Sequence, residues 1–414
     1  MRISRRTKTE RDVVAAFRAG VPLDLRGRRD ARVRSEVIRF LLLGGAAAEA
    51  GTLPLLWLKG ARVTGPLEVE YADVSAPVEL ERCTFDEAVS FFGSHLRRLG
   101  LEGSTMPELT IANATFDASV RLIGCRAGAV RAGLAQISGS LLMDGARVAR
   151  LDAFAMRVST DVLAGDGFAC EGVLRVDRAE IGAGLHCQRA TLHTLSARHL
   201  TARELVLLPT GRPEGGVDLS HARVGVLRDD PATWPTALCI DGFVYGVLDG
   251  EPTDRRSWLR LDSDRFRPGA YGQLARTYRE AGRDDDARTV LLAGERHRRE
   301  GLRWPGRWWG RLQDITVGYG YRPLRAAAWL AALLAIGTAV FGAERPRAAD
   351  AAGGPEFAAP VYTLDLIVPV VDFGQQSAFH PRGATAWLAY ALIVAGLLLV
   401  TTITAAGARR LRRN

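Results

Sequence analysis

Small and apolar residues alternate on a steady beat along the region that follows residue 50. A small residue is followed two positions later by a usually apolar one, and successive small residues lie 10 or 11 positions apart. The pairs are Ala61/Val63, Ala72/Val74, Cys83/Phe85, Ser94/Leu96, Ser104/Met106, Ala114/Phe116, Cys125/Ala127, Ala135/Ile137 and Ala146/Val148, with a return at Ala179/Ile181, Ala190/Leu192 and Ala222/Val224. An amphipathic helix would repeat its apolar positions every 3.6 residues, so each beat instead predicts a short strand that ends at a turn.

Short strands at even spacing cannot bury a face alone, and stacking them produces a solenoid. Two beats make one coil of about 21 residues. Small residues on the inside let the chain turn tightly, while Val, Leu and Phe fill the core. The sequence therefore predicts a mainly β chain with a parallel β-solenoid over residues 51–250, in which Cys83 and Cys125 are packed thiols.

Helices are predicted on both sides of the solenoid. Residues 1–50 form the N-terminal helical cap, with a helix over residues 30–50 that places Val37, Phe40 and Leu41 on its apolar face. Such a cap covers the unpaired edge of the first coil. After the solenoid, residues 251–303 predict a helical hairpin that resembles one tetratricopeptide unit.

Two long apolar stretches near the C-terminus predict membrane spans, at about 326–343 and 384–408. A helix needs roughly 20 apolar residues to cross a bilayer. Arginine-rich segments flank both stretches, and the positive-inside rule then places both termini in the cytoplasm. We expect residues 304–414 to form a membrane domain, opened by an interfacial helix rich in Trp and Arg, in the cytoplasmic (inner) cell membrane.

Composition adds three expectations. Lys plus Arg number 55 against 46 for Asp plus Glu, and nearly all the positive charge is arginine, concentrated near the two apolar stretches. This distribution suits lipid phosphates, and we expect no nucleic-acid partner. The N-terminal "MRISRRTKTERDVV" is charged throughout and does not resemble a secretory signal. The five cysteines have no CxxC spacing, which favours reduced, packed thiols over disulfides or a zinc site.

One segment, "LHCQRATLHTLSARHL", collects His186, Cys187, His193 and His199. Spacings of 7 and 6 between its successive histidines would bring side chains together on neighbouring solenoid faces, so these four are weak candidates for a metal cluster. Structural zinc sites use other spacings, and histidines that simply lie on the surface are the commoner case. No GxSxG, HExxH, Walker loop or dinucleotide glycine motif is present, so no catalytic residue and no cofactor is predicted.

A channel is the subject of a further hypothesis. The letters TVGYG at 316–320 match a potassium-channel filter, but they precede the first predicted span and so lie outside any pore loop. Between the spans, "YTLDLIVPVVDFGQ" carries Asp365 and Asp372, which are the pore-loop candidates. The alternative is an interfacial segment on the outer leaflet, with both carboxylates facing water.

Several blocks resemble one actinobacterial family: "VRSEVIRFLLLGG", "LKGARVTGPLEV", "YGQLARTYREAG", "VGYGYRPLRAAAWL" and "LDLIVPVVDFGQ". The resemblance covers nearly the whole chain. Members are often labelled membrane-associated oxidoreductases, and their repeats resemble the right-handed β-helices of pentapeptide-repeat proteins, some of which carry channel-like two-span tails. The resemblance implies that fold and that label, and it assigns no catalytic or cofactor-binding residue in this sequence.

Three functional hypotheses follow. The first is a binding or scaffold module, tethered to the bilayer by two spans, that presents a long solenoid face to a protein partner, with self-association left open. The second is a membrane-associated oxidoreductase, as the resemblance implies. The third is a degenerate two-span channel whose solenoid assembles or gates the pore.

Overall fold

The structure is a computed structural model that describes residues 6–249, 255, 257–261, 266–300, 323–349, 356–368 and 372–411. The chain divides into two compact units, Met1–Gly282 and Arg283–Asn414. The first unit contains the β-solenoid, and the second is helical.

The first unit is a parallel β-solenoid of about nine turns. Its first strands are β1 (Leu23–Asp24), β2 (Arg32–Arg34), β3 (Leu56–Lys59), β4 (Arg62–Thr64), β5 (Leu67–Glu68), β6 (Asp73–Val74), β7 (Val78–Glu81), β8 (Thr84–Phe85), β9 (Val89–Ser90), β10 (His95–Leu96), β11 (Leu99–Gly100), β12 (Thr105–Thr110), β13 (Thr115–Phe116) and β14 (Val120–Arg121). The later strands are β15 (Arg126–Arg131), β16 (Gln136–Ile137), β17 (Leu141–Leu142), β18 (Arg147–Asp152), β19 (Arg157–Val158), β20 (Val162–Leu163), β21 (Ala169–Arg175), β22 (Glu180–His186), β23 (Thr191–Ser196), β24 (Thr201–Leu207), β25 (Gly216–Asp218), β26 (Arg223–Asp229), β27 (Leu238–Cys239) and β28 (Val244–Asp249). The predicted solenoid is confirmed.

Two parallel sheets run along the solenoid, one of 16 strands and one of 12 strands among the described residues. The second sheet contains β2, β4, β5, β8, β9, β12, β15, β18, β21, β23, β25 and β27. Arg126 pairs in register with Thr105 on one side and with Arg147 on the other, so one coil advances the chain by 21 residues here. This register confirms the predicted coil length.

Two columns of left-handed residues join the sheets at every coil. The first turn column holds Gly60, Arg82, Gly103, Gly124, Gly145, Gly167 and Arg189. The second turn column holds Tyr71, Gly93, Asn113, Leu134, Ala155, Arg178, His199, His221 and Gly242. Positive φ lets the chain reverse within two or three residues, and glycine adopts it without steric cost.

The small and apolar residues of the beat point inward as predicted. The apolar members, such as Val63 and Phe116, are buried, and so are the small ones apart from the half-buried Ala72. Cys83 and Cys125 are free, buried thiols, and burial raises the pKa of each to about 12. The strand register shifts between Cys170 and Val173. This shift lies in the interval between Val148 and Ala179, where the repeat of small and apolar residues is interrupted in the sequence.

The N-terminal cap is helical in part and joins the first coil directly. Its helices are α1 (Lys8–Ala19) and α2 (Ser35–Leu42), so the helix predicted over residues 30–50 is much shorter. It ends early because Gly44 adopts a left-handed backbone. Strands β1 and β2 already pair with β3 and β4, so coil pairing begins before residue 51.

A buried ion pair fastens this cap. Glu10 closes a capping box with Thr7 at the start of α1, and its carboxylate also binds Arg34 through two hydrogen bonds of 2.7 and 2.8 Å. Hydrogen bonding from Arg34 lowers the pKa of Glu10 against the opposing effect of burial. The planar guanidinium of Arg34 binds both carboxylate oxygens of Glu10, and this geometry holds helix α1 against strand β2 at the start of the solenoid.

The far end of the solenoid is closed by aromatic side chains around a second buried ion pair. Asp229 accepts hydrogen bonds from Arg255 Nη2 at 2.6 Å and from Trp234 Nε1 at 2.7 Å. Trp258, in the short helix α3 (Trp258–Leu261), stacks obliquely on Trp234. Helix α4 (Pro268–Glu280) follows and is tied to the last strand, because Gln273 donates a hydrogen bond to the carbonyl of Tyr245.

The second unit contains α5 (Asp284–Glu300), α6 (Pro323–Ala343), α7 (Ala359–Ile367), α8 (Gln375–Ala378) and α9 (Ala384–Leu411), with a small antiparallel pair, β29 (Arg347–Ala348) and β30 (Phe379–His380). The two helices predicted for residues 251–303 correspond to α4 and α5, and the two compact units divide between them. The interfacial helix predicted from residue 304 and the TVGYG segment lie outside the described residues.

The prediction of two membrane spans is wrong. Across the part of the chain that the structure describes, no helix combines the length and the apolarity that crossing a membrane requires. The apolar side chains of α6 and α9 pack instead on α7, in a core that includes Phe341, Tyr362, Leu366 and Leu392. A run of apolar residues alone does not distinguish these two situations. The predicted membrane domain, and with it the inner-membrane localisation, therefore loses its basis.

Candidate functional site

The four residues predicted as weak candidates for metal ligands do not lie together in the structure. Cys187 is fully buried in the solenoid core, and burial raises the pKa of its thiol to about 12. His186, one position earlier, points outward, with its Nε2 at 3.2 Å from Asp161 Oδ1. Neighbouring residues on a strand face opposite sides of the sheet, so these two cannot ligate one ion.

The other two histidines lie on separate parts of the surface. His193 is on β23, with its Nδ1 at 3.9 Å from Glu214 Oε2. His199 is in the second turn column and stacks on His221, with 5.0 Å between the ring centroids. Among the described residues, no group of three or more His, Cys, Asp or Glu side chains is arranged to hold a metal ion.

The two pore-loop candidates stabilise local backbone in the helical unit. Asp365 is buried, and its carboxylate accepts hydrogen bonds from the backbone N–H groups of Phe373, Gln375 and Gln376 at 3.0, 3.0 and 2.7 Å. Asp372 is exposed and accepts a 2.7 Å hydrogen bond from the N–H of Gly374. The channel hypothesis needs both predicted spans, so it lost its basis with them.

Ion pairs between adjacent coils recur along the solenoid surface. An arginine on one coil meets a carboxylate one coil away in the pairs Arg62–Asp86, Arg121–Glu102, Arg131–Glu108, Arg157–Glu180, Arg175–Asp152, Arg189–Asp166, Arg198–Asp177 and Arg228–Asp249. Opposite charges on adjacent strands stabilise a sheet, and like charges in the same place destabilise it. The surface is thus largely complementary from coil to coil.

Three arginines on adjacent strands in the middle of the second sheet depart from this pattern. Arg126 and Arg147 are direct partners on β15 and β18, and Arg150 follows on β18. All three side chains are exposed, and none has a carboxylate within ion-pair distance in the described part of the chain. Like charges directly opposite each other on adjacent strands repel and destabilise the sheet. We call these three residues the arginine strip.

The surface beside the arginine strip is flat. On four successive coils the outward residue at the bend of the sheet is small or compact, namely Pro107, Gly128, Ala149 and Gly172. A Cβ on Gly128 would lie 2.5 Å from the carbonyl oxygen of Pro107, and one on Gly172 would lie 2.7 Å from that of Ala149. Only glycine fits at these two positions. Because no side chain projects there, another polypeptide can approach the arginines closely.

The charges around the arginine strip alternate in sign. Glu108 is held by Arg131 at 3.2 Å, and Asp152 is held by Arg175 at 3.4 Å. Glu171 is exposed one coil beyond Arg150. The uncompensated positive charge is therefore confined to two coils, with carboxylates on either side.

A groove with a volume of about 600 Å³ lies further along the same sheet, toward the C-terminal end of the solenoid. It is lined by Thr194, Ser196, Arg198, Asp218 and Cys239, and its polar groups already bind one another or a neighbour. Arg198 and Ser196 donate to the buried Asp177, and the Ser220 hydroxyl lies between Asp218 and the Cys239 thiol. The groove offers few free polar groups to a ligand, and the arginine strip is the better candidate site.

Sequence reasoning missed the arginine strip because the basic excess was attributed to the C-terminal region. A signal was present, since Arg126 and Arg147 are one coil length of 21 residues apart. Comparing outward positions at that period, rather than total charge, would have revealed the pair.

Comparison with known proteins assigns no relative, since no family model, no curated protein and no solved structure matches this chain. The β-solenoid that the resemblance implied is confirmed by the fold itself. Membership of the oxidoreductase-labelled family stays a prediction.

Proposed function

We propose that this chain is a binding module whose β-solenoid takes up an acidic segment of a protein partner on the arginine strip. The observation that carries the proposal is the in-register stacking of Arg126 on Arg147 without a carboxylate partner among the described residues. Two arginines stacked on adjacent strands without a carboxylate of their own gain most from carboxylates supplied by another molecule.

An acidic polypeptide fits this surface better than a nucleic acid. A polynucleotide backbone carries a charge at every step and gains affinity from each phosphate that a basic side chain neutralises. Here the uncompensated positive charge is confined to two coils and is bordered by the exposed Glu171, so a continuous polyanion gains little beyond the three arginines. The strip also lacks an aromatic side chain on which a base could stack. A short acidic segment, by contrast, meets the arginines and leaves the bordering carboxylates untouched.

The test compares a fluorescent oligoglutamate peptide with the full chain and two double variants. Arg126→Gln with Arg147→Gln removes the stacked pair. Arg203→Gln with Arg223→Gln is the matched control, because these arginines are also exposed and lack a carboxylate partner in the described residues, but lie on the other sheet. We expect the first variant to bind the peptide at least about tenfold more weakly, the usual effect of losing hydrogen bonds to charged groups, and the control to bind like the original chain.

Two results would overturn the proposal. Equal weakening in both double variants would show unspecific attraction to net charge, which added salt also suppresses. Tighter binding of a single-stranded oligonucleotide of equal charge, lost in the Arg126 and Arg147 variant, would replace the acidic protein segment with nucleic acid.

We also infer that the repeats are of the pentapeptide type that the family resemblance implies. The support is the coil of about 21 residues, its short parallel strands and its inward columns of small residues. No feature of the described residues favours the oxidoreductase hypothesis over binding, and an absorbance spectrum with metal analysis of the purified chain tests it.

A further inference from the structure

A second cavity, of about 410 Å³, lies on the first turn column near the N-terminal end of the solenoid. Its walls include the cations Arg26, Lys59 and Arg82 and the carboxylates Glu81 and Glu102. The volume is within the range of small-molecule sites. Arg82 lies two coils before Arg126 of the arginine strip, and no residue of the strip lines this cavity.

Four of these five charged groups already have partners. Arg26 binds Asp24 through several hydrogen bonds, and Lys59 lies 3.1 Å from Glu81. Glu102 accepts a 2.6 Å hydrogen bond from Arg121. Arg82 has no carboxylate within ion-pair distance among the residues that the structure describes. The free charge that faces the cavity is therefore positive.

Arg82 has a left-handed backbone conformation, which is unfavourable for a residue with a side chain. It has φ of 50°, in a turn column whose neighbouring members on the adjacent coils are Gly60 and Gly103. A left-handed backbone is less favourable for arginine than for glycine, because the Cβ crowds the following carbonyl oxygen. A Cβ on Gly103 would lie 3.2 Å from the Arg82 Cγ, so the arginine stem lies across that glycine.

Arg189 gives the internal comparison. It is the other arginine in the first turn column, with φ of 55°, and its guanidinium is bound by Asp166 on the adjacent coil. Intramolecular pairing accounts for the arginine at that position. At Arg82 the intramolecular carboxylate is absent from the described residues and the side chain lines a cavity, so the partner is to be sought in a ligand.

We propose that this cavity binds a small molecule with a carboxylate or phosphate group, which the guanidinium of Arg82 grips. A planar guanidinium binds two oxygens of either group at once, and Arg26 and Lys59 add positive potential nearby. Glu81 and Glu102 are turned toward Lys59 and Arg121, and their charges are offset by these partners.

The experiment is isothermal titration of the full chain with inorganic phosphate and with malonate, at fixed ionic strength. Arg82→Gln is the test variant and Arg189→Gln the matched control. We expect saturable binding of one of the two probes, which identifies the chemistry, and at least about tenfold weaker binding in the test variant, with no change in the control. Absence of saturable binding for both probes, or equal binding by Arg82→Gln, would overturn the proposal.

Arg82→Gly supplies a readout that does not depend on the probe. Glycine relieves the left-handed strain, so this variant should unfold at a temperature equal to or above that of the original chain while losing the probe. A clear loss of stability would instead mean that Arg82 serves the fold, and the ligand argument would fail.

Discussion

The carboxylate of Glu79 accepts a 2.7 Å hydrogen bond from Nη2 of Arg121, 42 positions further along the chain. The two residues lie two coils apart, with Gly100 in register between them. Glu79 is buried, and this burial raises its pKa although Arg121 and Arg98 oppose the shift. The ion pair therefore depends on the absence of a side chain at the coil it crosses.

Gly100→Ala should break this contact. A Cβ at that position would lie 1.9 Å from Glu79 Oε2, so the carboxylate would be displaced while still buried. We expect the free energy of unfolding to fall by about 1–3 kcal/mol, because the buried carboxylate loses its hydrogen bond from Arg121. Urea denaturation measures the change. Gly133→Ala is the control, since its Cβ would meet nothing closer than 3.7 Å, and a similar loss there would contradict the explanation.

Ser104 should be replaceable by cysteine at lower cost than by alanine. Its buried hydroxyl accepts a 2.9 Å hydrogen bond from the N–H of Cys83 and donates one of 2.6 Å to the carbonyl of Leu80. Ser104→Ala leaves both backbone groups unpaired, which should lower the free energy of unfolding by about 1–3 kcal/mol. In the same column Cys125 donates its thiol to the carbonyl of Leu101, so Ser104→Cys retains a donor. Equal losses for both variants by urea denaturation would refute this account.

His95 should make stability fall as pH rises. Its ring lies between Asp117 and Asp73, at 2.8 and 3.4 Å, and hydrogen bonding to Asp117 raises the pKa of His95 above its ordinary value of 6.5 against a small opposing effect of burial. The stabilisation is complete below pH 6.5 and is lost as pH rises through the raised pKa. The effect is small because these side chains are largely exposed. Thermal melts across this window should show a steeper decline for the original chain than for Asp117→Asn, and parallel curves would contradict the prediction.

Asp177 should have the opposite effect in acid. Burial acts to raise its pKa, but hydrogen bonds from Arg198, Ser196 and Arg175 outweigh burial and hold the pKa at about 2. Because this is below the ordinary 3.8, the stabilisation is present above that pH and is lost as pH falls toward 2. Acid denaturation monitored by circular dichroism should be less steep in Asp177→Asn, which is also less stable at neutral pH. An unchanged acid profile would show that the network does not stabilise the fold.

The membrane prediction failed for a reason that particular residues illustrate. Phe341 and Leu392 lie in the apolar stretches that predicted two spans, and both are buried against Leu366 of α7. Hydropathy reports that a side chain avoids water, and a protein core satisfies that requirement as a bilayer does. The segment between the stretches, which carries Asp365, provided the helix that packs against them.

For the candidate sites too, closeness in the sequence did not predict closeness in the fold. His186 and Cys187 are adjacent in sequence, yet strand geometry sends them to opposite sides of the sheet. Arg126 and Arg147 are far apart in sequence, yet the coil register makes them direct neighbours. Proximity in sequence therefore predicted a cluster that the fold separates, and missed one that the fold assembles.

The amino-acid sequence by itself determined the repeat, because a small inward residue every 10 or 11 positions is needed wherever the chain turns around a narrow core. It thereby specified short strands, the coil length and the buried state of Cys83 and Cys125. Only the tertiary structure decided which outward residues meet. That outcome depends on coil lengths that vary by one or two residues, and a shift of one residue moves a side chain to the other face of the sheet.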